Sequence, residues 1–127
     1  MGFPSPAKDF QEDVIELSKY LVQHPSATFY FRVSGDSMIN ASMPHGSLLV
    51  VDRSVTPASG MIVLAIVNGE FTVRRLIKTH KALVLHPENP AYKPVPVTEE
   101  MEMQVWGVVT AVVVKYKYNN HDRPGGL

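Results

Sequence analysis

The run MIVLAIVNGEFTVRRLI, residues 61–77, decides how the rest of the chain is read. Its halves, Met61 to Val67 and Glu70 to Ile77, are rich in β-branched residues and flank Asn68-Gly69. That dipeptide is the strongest short-range hairpin signal, because both residues tolerate the positive φ of a tight turn. The same character spreads outward. Thr28 to Val33 is aromatic and β-branched, Ser47 to Asp52 is a short apolar run, and Lys81 to His86 follows the hairpin after a short turn. Met103 to Tyr118 is a long β-branched run interrupted at Gly107, where a bulge or bend is expected. Pro87 to Pro96 carries no period and reads as an ordered loop. The fold class is therefore mostly β.

One helix signal precedes the strands. Phe10, Val14, Leu17 and Leu21 recur at helical spacing, so they form an apolar stripe that must be laid on something. Ser5-Pro6 resembles an N-cap followed by a first-turn proline, and His24-Pro25 ends the pattern. The expected layout is an N-terminal arm and helix over 1–24, a β domain over 25–118, and a disordered polar tail over 119–127. Phe29, Tyr30 and Phe31 alternate along a strand, so one face should be core and the other free for an interface. The terminal strand from Val105 is apolar on both faces, which predicts an edge covered by a partner. Asp52-Arg53 and Glu99-Glu100 read most simply as solvated surface charges, and Gly46 and Gly60 as turn residues.

Composition narrows the function. With 127 residues, 45% of them apolar, the chain suits one domain with a single core. Twelve acidic residues balance twelve basic ones, so no global field favours DNA or anionic membranes. Lys115, Lys117 and Arg123 are too few to argue for direct DNA binding. The absence of cysteine excludes disulfides and thiol catalysis, and the five histidines lack metal-ligand spacing. Neither a metal nor a cofactor is expected. No apolar run approaches the roughly 20 residues that span a bilayer, and the N-terminus lacks the pattern of a secretory signal. A cytoplasmic protein is the default expectation.

The candidate chemistry lies at Ser37, which follows the first strand through Ser34-Gly35-Asp36. A serine hydroxyl is a poor nucleophile until a neighbouring base takes its proton. A lysine desolvated among apolar residues can serve, because burial lowers its pKa. Read alone, Ser37 is as well explained as a helix cap, Asp36 as a turn former, and Met38 as core.

The segments Gly2-Phe3-Pro4-Ser5-Pro6-Ala7, Gln23-His24-Pro25-Ser26-Ala27-Thr28, Ser34-Gly35-Asp36-Ser37-Met38-Ile39, Leu48-Leu49-Val50-Val51-Asp52, Gly69-Glu70-Phe71-Thr72-Val73 and Trp106-Gly107-Val108-Val109 occur in order from Gly2 to about Lys117. Together they resemble the UmuD branch of the LexA-type self-cleaving serine peptidase family, in its processed form. The resemblance implies a LexA/UmuD-like β-fold with Ser37 as nucleophile, a lysine base at position 74, and Met38 beside the substrate cleft. The Ser37 backbone N–H would be an oxyanion donor. It also implies self-cleavage stimulated by a RecA filament in the SOS response, a homodimer, and partnership with a Y-family, UmuC-like polymerase in translesion synthesis. No membrane and no sequence-specific DNA binding are implied.

Two departures stand out. Position 74 is Arg74, whose guanidinium stays protonated near neutral pH and so cannot act as a base there. Arg75 should point to the opposite sheet face, and Lys78 lies about 13 Å further along the strand at roughly 3.3 Å per residue. The second departure is at the N-terminus. In the family, cleavage falls immediately before this glycine, so Met1 reads as a start residue added to a processed form. The expectation is an accessory polymerase subunit on a disabled Ser-Lys scaffold. An active autopeptidase and the dimerisation domain of a LexA- or phage-type repressor are the alternatives.

Overall fold

Among the described residues, seven strands form one antiparallel sheet. A computed structural model describes residues 14–117. The strands are β1 (Thr28–Arg32), β2 (Leu48–Asp52), β3 (Ile62–Val67), β4 (Glu70–Lys78), β5 (Leu83–His86), β6 (Val95–Pro96) and β7 (Met103–Val113). They lie side by side in the order β1-β2-β7-β3-β4-β5-β6. β3 and β4 pair from Val67↔Glu70 to Ile62↔Arg75, closing the hairpin read from Asn68-Gly69. Asn68 and Gly69 both take positive φ, 48° and 85°, as a type I′ turn requires.

Alternation along the strands builds two cores. Leu49, Val51 and Leu64 join Val33, Met38 and Met43 on one side. Val63, Ala65, Leu76, Leu85 and Val108 form the other. Neighbours in sequence, Val63 and Leu64, thus serve opposite faces, as a period of two demands. Each fully buried side chain of this size contributes about 1.5–3 kcal/mol. The segment from Val33 to Ser47, which carries Ser37, is pinned to the first core by Met38 and Met43.

Four expectations need correction. β7 is not an edge: it lies between β2 and β3, and its two apolar faces are covered by this chain's own cores. Among the described residues, the outermost strands are β1 and β6 instead. The proline-rich loop ends in a two-residue strand, with Val95 and Pro96 opposite Leu85 and Val84. A proline is tolerated there because β6 is an edge. Among the described residues, the helix, α1, spans Leu17–Leu21, Val14 to Glu16 are not helical, and none of the helix residues is buried. Val14 is fully exposed and Leu17 is 62% exposed, so that part of the stripe does not cover the sheet. Phe10, Ser5-Pro6 and the tail from 118 onward lie outside the described residues.

The fourth correction concerns Asp52, which is 4% exposed rather than solvated. Its Oδ1 accepts from the Ser54 N–H at 2.8 Å and the Ser54 hydroxyl at 2.6 Å, and its Oδ2 lies 2.6 Å from His24 Nδ1. The Ser54 hydroxyl, above all, holds this carboxyl below the usual aspartate value, against the opposing effect of burial. Arg53 is engaged too: its guanidinium lies 4.2 Å from the Trp106 ring centre while Nε donates to the Trp106 carbonyl at 2.9 Å. Glu99 and Glu100 are exposed, as read.

The interruption expected at Gly107 is a pair of bulges. Between β3 and β7 the register jumps from Leu64↔Gly107 to Ala65↔Val105, leaving Trp106 unpaired. Against β2 it jumps from Val51↔Val109 to Val50↔Ala111. Bulges twist and re-aim a strand. Here Trp106 packs against Phe29 and Phe31 at 5.1 and 5.2 Å and against Phe71 at 5.9 Å. Phe29 and Phe71 remain about half exposed, at 42% and 53%.

Candidate active site

Ser37 and Arg74 meet. Arg74 Nη1 donates to Ser37 Oγ at 2.9 Å and to the Val73 carbonyl at 2.6 Å. Two elements produce the meeting. The turn Asp36–Ile39, closed by the Ile39 N–H on the Asp36 carbonyl at 3.1 Å, presents Ser37 at its tip. Strand β4 presents Arg74 between Val73 and Arg75, with both arginines directed by alternation to different partners. Arg75 Nε donates to Glu88 Oε1, and its Nη1 donates to the Gly60 carbonyl at 2.6 Å. Lys78 ends β4, exposed, with its N–H bound to Ser59 Oγ.

The serine turn is held from below and from the side. Met38 is 1% exposed within the first core, and its Sδ accepts from the Glu88 N–H at 3.4 Å. Asn89 Nδ2 donates to the Asp36 carbonyl at 2.9 Å, and the Tyr92 hydroxyl donates to Asp36 Oδ1 at 2.6 Å. On the other flank, the Gly35 N–H donates to His45 Nδ1 at 2.9 Å. That bond uses His45 Nδ1 as an acceptor.

Electrostatically the site is a cation without a counter-ion. Burial pushes the Arg74 guanidinium down from its ordinary value, while Tyr92 acts in the opposite sense. The Tyr92 phenol is itself pushed up by its bond to Asp36 and by that residue's charge. It therefore stays neutral near neutral pH and does not balance Arg74. Among the described residues, the ion pairs are Lys19–Glu16, His24–Asp52 and Arg75–Glu88, and Arg74 joins none of them.

Together these groups line an open cleft of about 270 Å³ between Ser34–Met38, Phe71–Arg74 and Tyr92. A larger hollow, about 1240 Å³, lies apart from Ser37, beneath Val114–Lys117 and beside Arg32 and His45. Chemistry, rather than size, marks the smaller one as the site. Among the described residues, no group of three or more His, Asp or Glu side chains is arranged to hold a metal. No helix among them is long and apolar enough to cross a membrane.

Glu88, Asn89, Tyr92 and His45 were not expected at the site. The one local signal for the first three is Asn89-Pro90, a turn former whose Asn89 Oδ1 accepts from the Ala91 N–H at 2.9 Å.

The resemblance pairs Ser37 with position 74, and the structure brings Arg74 Nη1 to 2.9 Å from Ser37 Oγ. The family model described as Peptidase S24-like matches residues 1–110. The chain belongs to the S24-like peptidase family. Within that family it is similar to UmuD-like proteins. Protein SamA of Salmonella typhimurium is 45% identical over 114 residues, covering 90% of this chain and 79% of that protein. Protein MucA of Escherichia coli is 41% identical over 117 residues, covering 91% and 79%. LexA repressor of Syntrophotalea carbinolica is 36% identical over 105 residues, covering 83% of this chain and 52% of the repressor.

Proposed function

We propose that this chain is a non-catalytic accessory subunit of an error-prone translesion DNA polymerase in the SOS response, built on a Ser-Lys autopeptidase scaffold. The observation that carries the absence of catalysis is the 2.9 Å hydrogen bond from Arg74 Nη1 to Ser37 Oγ. In a Ser-Lys peptidase the strand residue accepts the serine proton as the oxygen attacks a carbonyl carbon. A guanidinium has no lone pair for that proton and stays charged near neutral pH. Its charge favours a serine alkoxide, yet Arg74 is the sole hydrogen-bond partner of Ser37 Oγ among the described residues, so nothing there receives the proton.

The accessory role is supported by similarity to SamA and MucA, each matched over 79% of its length against 52% for the LexA repressor. On this reading the chain acts in the cytoplasm as a homodimer, with a Y-family polymerase and the RecA filament as its partners. The test is affinity capture of the tagged chain from damaged host cells, with bound proteins identified by mass spectrometry. Stoichiometric recovery of a Y-family polymerase is expected. Recovery of self-dimers alone overturns the accessory role.

A second reading, an active autopeptidase, is favoured by the juxtaposition of Ser37 with position 74. It is separated by incubating an uncleaved substrate chain with the unchanged protein and with Arg74→Lys. Cleavage by Arg74→Lys alone is the expected result. Cleavage by the unchanged protein near pH 7, lost on Ser37→Ala, overturns the non-catalytic assignment.

A further inference from the structure

β4 is only half paired on one side. β3 runs beside it from Glu70 to Arg75, but β5 pairs only with Arg75–Lys78. Leu76 exchanges bonds toward β3, its N–H to the Met61 carbonyl and its carbonyl to the Gly60 N–H. Main-chain groups alternate in direction along a strand. Phe71 and Val73, at odd offsets from Leu76, therefore turn theirs toward the side that β5 leaves open. The Val73 carbonyl there accepts from Arg74 Nη1 at 2.6 Å, so the Phe71 N–H and carbonyl and the Val73 N–H are the groups without a partner among the described residues. The cleft beside Ser37 opens on that free stretch, and Arg74 stands at its end.

We propose that the cleft beside Ser37 binds the C-terminal carboxylate of an extended peptide, with Arg74 as the anion ligand and the free edge at Phe71 and Val73 as the strand it pairs with. Three features carry this. Arg74 is a half-buried cation with no carboxylate partner among the described residues. Of its donors, Nη1 is used on Ser37 and Val73, while Nε and Nη2 have no acceptor among those residues. Guanidinium forks match carboxylates in a planar, two-bond geometry. Next to it, the Ser37 and Met38 backbone N–H groups have no hydrogen-bond acceptor among the described residues, so they add neutral donors to the same anion. Finally, main-chain pairing along an open edge supplies sequence-tolerant affinity for an extended segment, and the half-exposed Phe71 offers an apolar contact beside it.

A peptide terminus fits better than a side-chain carboxylate, because the edge runs into Arg74 and the chain pairing with it ends there. In this chain the exchange of base for guanidinium converts a site that would break a peptide bond into one that holds a peptide end. The inference rests on reading Arg74 as a permanent cation beside an idle serine, not on the polymerase partnership. Capture without a polymerase would overturn that partnership and leave the peptide measurement untouched.

The probes are a blocked tetrapeptide of alternating valine and threonine ending in glycine, once as the free acid and once as the carboxamide. Each is titrated into the full chain near pH 7 while the amide resonances of Ser37, Met38 and Phe71 are followed by NMR. The free acid is expected to bind about tenfold more tightly than the carboxamide, the value of one charge-assisted hydrogen bond. In Arg74→Gln and in Arg74→Ala, each checked for a native spectrum, that preference disappears while carboxamide affinity persists. Equal binding of the two probes to the unchanged chain overturns the proposal without any variant, and so does failure of both to shift the Ser37 and Phe71 resonances. Sodium acetate binding as tightly as the free-acid peptide overturns the role of the β4 edge.

Discussion

Replacing Gly107 by alanine tests the bulged centre of the sheet. A Cβ there would lie 2.6 Å from Val51 Cγ1, 3.4 Å from Arg53 Cγ and 3.6 Å from the Asp52 carbonyl oxygen. Non-bonded carbons rest about 3.5–4.0 Å apart, so the first contact is short by roughly 1 Å. Val51 has little room to yield: it is 0% exposed, β-branched, and hydrogen-bonded into β2 opposite Val109. β7 is equally confined, with β2 on one side and β3 on the other. Overpacking of this kind costs about 1–3 kcal/mol, against about 0.5–1 kcal/mol recovered because alanine loses less backbone freedom than glycine. The net expectation for Gly107→Ala is a loss of about 1–2 kcal/mol.

Urea unfolding at fixed protein concentration, followed by circular dichroism and by fluorescence of the chain's single tryptophan, reads this as a lower midpoint at unchanged slope. Val51→Ala removes the clashing methyl and alone costs about 2–3 kcal/mol through the cavity it leaves. The pair should be less destabilised than the sum by about 1 kcal/mol or more, since the new methyl enters the vacated space. A stable Gly107→Ala, or a double variant additive within about 0.5 kcal/mol, would refute the packing argument.

Asp52→Asn should cost about 1–3 kcal/mol at neutral pH, because a buried carboxylate accepting from Ser54 and facing His24 loses its charge. The folded-state pKa of Asp52 is depressed. Its contribution is therefore complete above the unfolded value of about 3.9 and is lost as pH falls toward the lower folded value. The asparagine variant should show a shallower loss of stability across that acid window, and parallel curves for the two proteins would disprove it. At the hairpin, Asn68→Ala places a Cβ-branch-free but non-glycine residue at φ 48° and removes the Oδ1 acceptor of the Glu102 N–H. The expected loss is about 1–2 kcal/mol in thermal or urea unfolding, and an unchanged midpoint would contradict it.

What the sequence determined by itself was local. Turn chemistry at Asn68-Gly69 and β-branched runs located β1 to β5 and β7 to within a few residues, since φ preference and side-chain alternation act between neighbours. The bulge at Gly107 was legible for the same reason. The family resemblance, carried by ordered motifs, pointed to Ser37 and position 74, and the arginine itself excluded a base there. Strand order was not local. β7 looked like an edge needing a partner because an apolar run does not reveal its ladder neighbours: the sheet order put β2 and β3 on its two edges, and the two cores took its faces. Asp52 looked solvated because charge alone does not disclose the Ser54 and His24 groups that make its burial tolerable. The brace of the serine turn comes from Glu88, Asn89 and Tyr92, in a segment without periodicity. Contacts of that kind depend on where the chain returns in space, and that is a property of the packed sheet rather than of any window of residues.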